Sequence, residues 1–220
     1  MSDLTGCLIV VAENLDQFVI EQLPAAYVRS AVDLLADAFR DDPIFCFHFP
    51  EPRLRRRVFE LFFSDVVRAH LQFDHVYGAF DEKRLIGAAV WRPPNSAATS
   101  IRARIGRLVT RHRVLRLSPR AGAMLMEGFA RLEETHPHHP HWYLFFIGLE
   151  SNQRGRNIGA KLMAPVLQSA DAAMLPCYLE TPFPQTLPFY RKLGFEVTGE
   201  PRPFNGAPQL WAMTRKPRVR

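Results

Sequence analysis

Residues 143–163, YLFFIGLESNQRGRNIGAKLM, decide the fold of this chain. The apolar run from Tyr143 to Leu149 predicts a buried strand. A short turn rich in Gly and Arg follows, and apolar residues then recur at helical spacing from Ile158 onward. Backbone N–H groups at the start of a helix lack partners within the helix, and the helix dipole favours an anion there. The stretch therefore predicts a site for a phosphorylated ligand.

Two glycines and two arginines define this predicted site. Gly155 and Gly159 remove side chains where the backbone must approach a ligand, and Arg154 and Arg156 add positive charge. The turn is not a P-loop, because the Gly-Lys-Ser/Thr ending is missing. It is not a dinucleotide fingerprint either, because Gly-x-Gly is absent. Taken alone, the stretch leaves an ordinary strand–helix connection as the alternative.

The sequence downstream adds four elements in a fixed order. Residues 177–181 predict a second strand, and residues 189–193 predict a short helix that Gly194 ends. Residues 195–199 and 210–213 predict two more strands. This order resembles the GNAT superfamily of acetyl-CoA-dependent N-acetyltransferases. The resemblance is clear over about residues 140–215, and the runs 141–144, 178–181 and 195–200 are most similar to the puromycin-acetyltransferase-like branch.

Two motifs carry the resemblance. The loop motif of the family, Arg/Gln-x-x-Gly-x-Gly/Ala, aligns with Arg154-Gly155-Arg156-Asn157-Ile158-Gly159. The later motif, Phe-Tyr-x-x-x-Gly-Phe, is intact at residues 189–195. The chain departs from the pattern at Asn157, where relatives favour Gly, and at Thr186, where many carry an Asn that contacts the cofactor. Asn is the residue other than Gly that best tolerates left-handed backbone angles, so we expect the turn to survive.

The resemblance implies a single α/β (α+β) domain over residues 1–220, with a mixed central sheet of about six to seven strands flanked by helices. It implies that acetyl-CoA is the acyl donor and that a small amine is the acceptor. Elements at about 18–135 would build the acceptor side. The residues expected at acetyl-CoA are Ile147, Gly148, Leu149, Arg154, Gly155, Arg156, Asn157, Ile158, Gly159, Ala160, Thr186 and Tyr190.

Two residues are candidates for acid–base chemistry. The family places the tyrosine at Tyr190 near the sulfur of the donor, where a phenol can protonate the departing thiolate; packing against Phe195 is its alternative role. Glu180 follows the predicted cofactor helix, on a strand, and is a candidate base or amine ligand; an ion pair with a surface Arg is its alternative role. Glu127, Glu133 and Glu150 are further possible bases that the sequence does not separate.

The N-terminal half matches the family only in its general pattern. Residues 18–23 predict a strand, and residues 25–39 and 53–72 predict helices. Residues 76–80 and 85–92 predict a hairpin. Two more helices are expected at about 101–116 and 119–134. Between the first two helices lies a short aromatic segment, residues 44–50, for which we expect at least two of its phenylalanines in the core: Phe45, Phe47 and Phe49.

Composition and charge help to exclude other classes of function. The chain has 220 residues, is 47% hydrophobic and carries a formal charge of +6. Arginines concentrate at residues 53–57 and 102–120, the second group on an amphipathic helix whose apolar side would hold Ile101, Ile105, Leu108 and Leu115. We expect a solvated face rather than a nucleic-acid surface, because no aromatic residues interleave with these arginines. No apolar run reaches the roughly 18 residues of a membrane span.

Histidines and cysteines complete the candidates. Four imidazoles lie within residues 136–141, but two prolines interrupt them and no His-x-x-x-His pair falls on a predicted helix. We therefore predict no metal and an exposed segment that leads into the strand, with His141 as a possible neighbour of the acceptor. The three cysteines, Cys7, Cys46 and Cys177, are predicted as reduced core residues of a cytoplasmic protein, which we expect to be a monomer or homodimer.

Three functions remain open from sequence. The leading interpretation is an N-acetyltransferase for a small amine. A second is a catalytically weakened GNAT fold that binds acyl-CoA as a sensor or regulatory protein, which the departures at Asn157 and Thr186 favour. A third is a basic protein that binds nucleic acid through the arginine-rich helix, in which case binding would fall steeply with salt.

Overall fold

A computed structural model describes residues 18–71, 75–94, 101–153 and 155–218, with only the backbone described over 101–107. Its centre is a seven-stranded mixed sheet in the order β1-β2-β3-β4-β5-β7-β6. The strand number and the flanking helices confirm the predicted fold class. The strands are β1 (Val19–Gln22), β2 (Val76–Asp81), β3 (Arg84–Arg92), β4 (Trp142–Leu149), β5 (Cys177–Thr181), β6 (Glu196–Gly199) and β7 (Trp211–Arg215).

Strands β4 and β5 form the one parallel pair in this sheet, and all its other neighbours are antiparallel. A parallel connection needs a crossover, which a helix supplies here between the two strands. That helix, α6 (Ile158–Ala172), begins directly after the Gly- and Arg-rich turn. The predicted strand–turn–helix unit is therefore confirmed, and it lies at the middle of the sheet.

Seven helices cover the two faces of the sheet in the described part of the chain. Helix α6 and the short α7 pack on one face, and the rest belong to the other. The remaining helices are α1 (Val28–Ala38), α2 (Pro43–His48), α3 (Pro52–Leu71), α4 (Ile101–Leu117) and α5 (Pro119–Glu133), and α7 spans Leu187–Lys192. The four helices that were predicted with both bounds in the N-terminal half agree with α1, α3, α4 and α5 to within three residues at each end, and α6 begins at the predicted Ile158.

Residues 44–48 of the aromatic segment are helical, which was not predicted from the sequence. Asp42 caps α2: its Oδ1 accepts hydrogen bonds from the N–H groups of Ile44 (2.9 Å) and Phe45 (3.1 Å). Pro43 then occupies the first helical position, where no N–H is needed. Phe45 and Phe49 are buried, whereas Phe47 is exposed, so the expectation of at least two core phenylalanines is confirmed.

The apolar side predicted for α4 is wrong at one position that can be tested. Leu108 is 63% exposed, and Val114, which was not in the predicted set, is buried instead. Helix α4 packs on α3 and α5 rather than directly on the sheet. Among the residues of α4 whose side chains are described, burial is found at Val114 near the C-terminus and not at Leu108. The side chains of Ile101 and Ile105 lie outside the described residues.

The face formed by α6 is closed by an ion pair that links it to the last strand. Arg215 on β7 donates two hydrogen bonds, both of 2.7 Å, to the carboxylate of Asp171 on α6. These bonds lower the pKa of Asp171 below its ordinary value. Cys177 lies nearby and is fully buried, and burial raises the pKa of its thiol to about 12, so it is a core residue as predicted. Cys46 is a free thiol that is half-buried, and Cys7 lies outside the described residues.

Candidate active site

The central feature is a gap that opens between the two parallel strands. Strands β4 and β5 are paired only at Trp142–Cys177 and Tyr143–Tyr178. Beyond these pairs β4 stays bonded to β3 on its other side, and β5 stays bonded to β7. The edge of β4 from Leu144 to Leu149 therefore faces β5 without a strand partner in the described chain. Unpaired strand edges accept an extended ligand that completes the hydrogen bonding.

A β-bulge marks the point where the gap opens. Val90 pairs with Phe146 and Trp91 pairs with Leu144, so Phe145 is an extra residue on β4. A bulge bends its strand and increases the local twist. Because the bulge follows Tyr143 by two residues, it turns β4 away from β5 just beyond their last pair.

The turn before α6 uses two left-handed backbone positions. Gly155 has φ +82° and Asn157 has φ +61°, and Asn157 is the residue that precedes the first turn of α6. The expectation that Asn tolerates the left-handed angle here is confirmed. Its side chain makes no capping hydrogen bond, so it leaves the first N–H groups of α6 available for a ligand. Arg156 is exposed on this turn, and Arg154 lies outside the described residues.

The reason for the second glycine of the motif differs from the expected one. A Cβ atom on Gly159 would lie 3.2 Å from Cζ of Phe189 and 3.9 Å from Cδ1 of Leu149. Gly159 therefore leaves only tight space for a side chain within the protein itself, whereas Gly155 has open space around it. The role of Gly159 at the cofactor stays a prediction. The same contacts show that the end of β4, the start of α6 and the start of α7 converge. Two predicted donor-binding residues, Leu149 on β4 and Gly159 on α6, thus lie side by side, next to Phe189 at the start of α7.

Thr186, which replaces the expected Asn, is engaged in a local turn. Its hydroxyl donates to the carbonyl oxygen of Phe183 at 2.7 Å and lies 3.0 Å from Oγ1 of Thr181. Thr181 Oγ1 in turn accepts from the N–H of Phe183 at 3.2 Å. The hydroxyl proton of Thr186 is therefore committed, and only an acceptor lone pair is left for a ligand. The role of Thr186 at the cofactor stays a prediction.

Tyr190 is buried on the α6 side of the sheet. Its ring lies 5.1 Å from that of Phe189 and 6.1 Å from that of Phe195. Burial raises the pKa of the phenol above its ordinary value, so it stays protonated at neutral pH and above. A protonated phenol is the form that an acid needs, but the packing against Phe195 is also present. Its catalytic role stays a prediction.

Glu180 stands two residues past the last β4–β5 pair, on the opposite face of β5 from the α6 core. Its side chain is 6% exposed, and its Oε1 lies 3.0 Å from Nε2 of His136. Oε1 makes no well-aligned hydrogen bond within the described residues. Its buried neighbour is thus a histidine, not the surface arginine that we had considered. Its catalytic role stays a prediction.

Two tyrosines complete the surroundings of Glu180. Burial, together with the negative charge of Glu180, raises the pKa of Tyr143 and of Tyr178 above the ordinary value. Both phenols therefore remain neutral donors. The Tyr178 hydroxyl is buried and makes no well-aligned hydrogen bond among the described residues, although Thr135 and Glu180 lie close enough to influence its pKa. The floor of the gap is thus built from neutral phenols around one carboxylate.

His136 corrects the expectation of an exposed histidine segment. It is buried, and its ring packs against the rings of Tyr143 (4.5 Å between centroids) and Tyr178 (4.7 Å). His139 is exposed as expected, and His141 is half-exposed at 5.7 Å from the ring of Tyr178. Within the described residues no three His, Cys, Asp or Glu side chains form a group that could hold a metal ion.

Arg92, at the end of β3, links this cluster to α5. Its guanidinium donates to both carboxylate oxygens of Glu133 (2.9 and 2.7 Å), approaches Nδ1 of His136 at 3.2 Å, and lies 4.9 Å from the centre of the Tyr143 ring. The sequence reasoning missed both Arg92 and His136. Arg92 is 88 residues and His136 is 44 residues from Glu180 along the chain, and only the pairing of β3, β4 and β5 brings them together.

The other carboxylates that were possible bases are occupied in ion pairs. Glu133 binds Arg92, Glu127 lies 2.6 Å from Arg131 on the surface of α5, and Glu150 lies 3.1 Å from Arg84. Among these four glutamates, Glu180 alone has no Lys or Arg nitrogen within 4 Å in the described part of the chain. The geometry therefore favours Glu180 over the other three glutamates as the candidate general base.

Comparison with known proteins agrees with this geometry. Residues 126–195 match the family model described as acetyltransferase (GNAT) family, a range that includes the turn, Glu180 and Tyr190. An uncharacterised N-acetyltransferase of Schizosaccharomyces pombe is 25% identical over 191 residues, which is 80% of this chain and 73% of that protein.

Solved structures match over a larger share of the chain at lower identity. A histone acetyltransferase and related acetyltransferase from Corynebacterium glutamicum superposes with a TM-score of 0.62 at 21% identity, over 92% of this chain and 98% of that one. A polyamine N-acetyltransferase of Drosophila melanogaster, which forms N-acetylagmatine, gives 0.56 at 16% identity, over 90% and 99%. At these identities the likeness establishes the fold.

Proposed function

Because this chain is an acyltransferase of the GNAT superfamily, we propose that it transfers the acetyl group of acetyl-CoA to a small-molecule amine by direct attack in a ternary complex. The observation that carries this proposal is the unbalanced charge at Glu180. Arg92 is already paired with Glu133, so the buried carboxylate has no Lys or Arg nitrogen within 4 Å among the described residues, and its close neighbour is the imidazole of His136. Burying an unpaired charge is costly. The ammonium group of an acceptor would supply the missing charge.

The donor would be held along the free edge of β4 and at the turn before α6. The backbone groups of Ile147, Gly148 and Leu149 are paired with β3 on one side only, so the other side can bond the amides of an extended pantetheine as an added strand would. The N–H groups at Ile158, Gly159 and Ala160 lie at the start of α6, where the dipole favours a pyrophosphate. A linear cofactor explains why a strand edge and a helix start are needed next to each other.

Transfer then requires three proton movements. Glu180 would take a proton from the bound ammonium, and the freed nitrogen lone pair would form the C–N bond at the thioester carbonyl. As the C–S bond breaks, Tyr190 would donate its phenolic proton to the departing thiolate. The nitrogen, still cationic after its attack, would lose its second proton and become a neutral amide; that proton would restore the Tyr190 phenol through solvent, and Glu180 would release its own proton to water. Glu180 and Tyr190 lie on opposite faces of β5, so one base and one acid would flank the gap. Holding amine and thioester together makes the step effectively unimolecular, which we expect to be the largest contribution.

The lining of the gap suggests the class of acceptor. Tyr143 and Phe145 lie with their rings 5.5 Å apart, and Phe129 on α5 lies 6.2 Å from Phe145. Aromatic faces attract cations and pack against apolar groups. We therefore propose an acceptor with a primary ammonium group on an aliphatic or aromatic body, the class to which agmatine, polyamines and arylalkylamines belong.

Release of free CoA thiol tests the proposal directly. The protein would be incubated with acetyl-CoA and one amine in each reaction. The amines are agmatine, spermidine, tyramine, an amino acid and a peptide with a free N-terminal amino group. We expect amine-dependent thiol release with at least one of the first three, and calorimetric binding of acetyl-CoA. Binding of acetyl-CoA without thiol release from any amine would favour the acyl-CoA sensor, and the absence of both would overturn the proposal. Binding to an oligonucleotide that falls steeply with salt would support the nucleic-acid alternative.

A further inference from the structure

We propose that His136 is a positioning residue for Glu180, and that Arg92 fixes the imidazole tautomer in which it acts. This inference rests on the proposed transfer reaction, and it adds a second layer of residues behind Glu180. The two side chains meet at 3.0 Å between His136 Nε2 and Glu180 Oε1, and each is only 6% exposed.

The tautomer follows from the contact with Arg92. A guanidinium can only donate hydrogen bonds, and its Nη2 lies 3.2 Å from Nδ1 of His136. Nδ1 must therefore present its lone pair to Arg92. In the neutral imidazole the proton is then on Nε2, the atom that faces Glu180. The Nε2–H edge of the imidazole then lies 3.0 Å from Oε1 of Glu180 without the alignment of a full hydrogen bond, and a small rotation on substrate binding would complete that bond and hold the carboxylate toward the substrate ammonium.

Arg92 itself is held in place from two sides. It forms the two-pronged contact with Glu133, and its guanidinium lies over the ring of Tyr143. Although burial raises the pKa of Glu133, the hydrogen bonds and charge of Arg92 lower it below the ordinary value, so the pair stays charged near neutral pH. The order Glu133–Arg92–His136–Glu180 is thus a chain of polar contacts that runs from α5 to β5.

Titratable and charged groups from four elements surround the His136 imidazole. Arg92 comes from β3, Glu133 from α5, Tyr143 from β4, and Tyr178 and Glu180 from β5. His141 faces it from the segment after α5 at 5.6 Å between ring centroids, and burial lowers the pKa of His141. Of the carboxylates among these groups, only Glu180 has an oxygen within 4 Å of an imidazole nitrogen in the described residues, and it lies at the gap. We therefore infer that the imidazole acts on the reaction indirectly, by positioning Glu180.

Two substitutions of similar size separate positioning from packing. In His136→Gln the amide nitrogen can reach the place of Nε2, whereas in His136→Asn it reaches only the place of Nδ1. With the amine that gives the highest wild-type thiol release, we expect His136→Gln to stay within a few-fold of wild type. We expect His136→Asn to lose about tenfold to a hundredfold in kcat/KM for the amine, the range for one hydrogen bond to a charged group. KM for acetyl-CoA should not change in either variant.

The dependence of kcat/KM on pH distinguishes a positioning role of His136 from a purely structural one. Loss of a donor to a carboxylate makes it harder to ionise, so the acid side of the kcat/KM profile should move to higher pH in His136→Asn and stay in place in His136→Gln. Urea unfolding of both variants controls for misfolding. Equal activities and equal profiles would overturn the role of His136 while leaving the transfer reaction intact. Absence of thiol release in the wild type would overturn both proposals.

Discussion

Glu180 Oε1 lies 3.0 Å from His136 Nε2, at the first point where β5 is free of β4. The contact places a buried carboxylate at the floor of the gap and gives it a histidine neighbour rather than a Lys or Arg. In most folded proteins a buried carboxylate is paired with such a cation. Under the proposed function, the ammonium group of the acceptor would take that place beside Glu180.

Glu180→Gln is the first test of that role. Gln keeps the shape and removes the base, so we expect kcat/KM for the amine to fall about 10²- to 10⁴-fold, the usual contribution of general base catalysis. Binding of acetyl-CoA, measured by calorimetry, should stay the same. Glu127→Gln is the matched control, because Glu127 is an exposed residue in an ion pair with Arg131. Full activity of Glu180→Gln across the pH range would show that the base is another group or water.

Tyr190→Phe tests the proposed acid. The substitution removes one hydroxyl from a buried ring, and we expect turnover to fall about 10²-fold while acetyl-CoA binding is nearly unchanged. Because burial raises the pKa of Tyr190, its deprotonation should not shape the pH profile below about pH 10. The control is Tyr27→Phe, which removes a hydroxyl that donates to the carbonyl of Lys83 on the surface. An unimpaired turnover in Tyr190→Phe would mean that the tyrosine only packs against Phe195.

The parts of this fold that were predicted from sequence are those with local signals. Strand β5 was placed at residues 177–181, its observed bounds, and the turn before α6 was recognised from Gly155 and Asn157. The short helix α2 was missed because six residues show too little periodicity, although Asp42-Pro43 is a common way to begin a helix. The Asp42-Pro43 pair is thus the signal in the sequence that indicates helix α2.

The inner part of the site could not be predicted in the same way. Arg92, His136 and Glu180 meet only because β3, β4 and β5 are neighbours with a fixed register, and a single sequence does not give that register. His136 in particular lies in a Pro- and His-rich segment that resembles an exposed loop. Cytoplasmic location, a single domain and a monomeric or dimeric state also stay predictions, since they are not properties of one site.

Asn157 permits a test of the turn that would bind pyrophosphate. We expect Asn157→Gly to keep acetyl-CoA affinity, because both residues adopt positive φ. We expect Asn157→Ala to lose about 1 kcal/mol of unfolding free energy and to bind acetyl-CoA more weakly, because Ala disfavours φ of +61°. The readouts are urea unfolding and calorimetry.

The control for this test lies in another turn of the chain. Gly206 has φ +80° and open space at the Cβ position, so Gly206→Ala should have a similar stability cost without any loss of acetyl-CoA affinity. Tighter binding in Asn157→Gly would contradict the prediction and would show that the Asn side chain crowds the ligand.

Asp42 provides a pH-dependent test of stability away from the site. Burial raises its pKa from the ordinary value of 3.8 to about 6, against the two backbone hydrogen bonds that lower it. The folded state therefore binds this proton more tightly than the unfolded state does. The resulting stabilisation is present below about pH 4 and is lost as the pH rises to about 6. Asp42→Asn keeps an oxygen for the N–H groups of Ile44 and Phe45 and does not titrate.

We therefore expect Asp42→Asn to gain stability relative to wild type, by about 1–3 kcal/mol, between about pH 4 and pH 7. Urea unfolding at several pH values measures that change, and the comparison between pH values cancels any fixed cost of the buried amide. Asp41→Asn is the matched control, because Asp41 is exposed and pairs with Arg40 only at 3.7 Å. A difference between Asp42→Asn and wild type that stays constant with pH would show that the Asp42 carboxyl does not titrate differently in the folded protein.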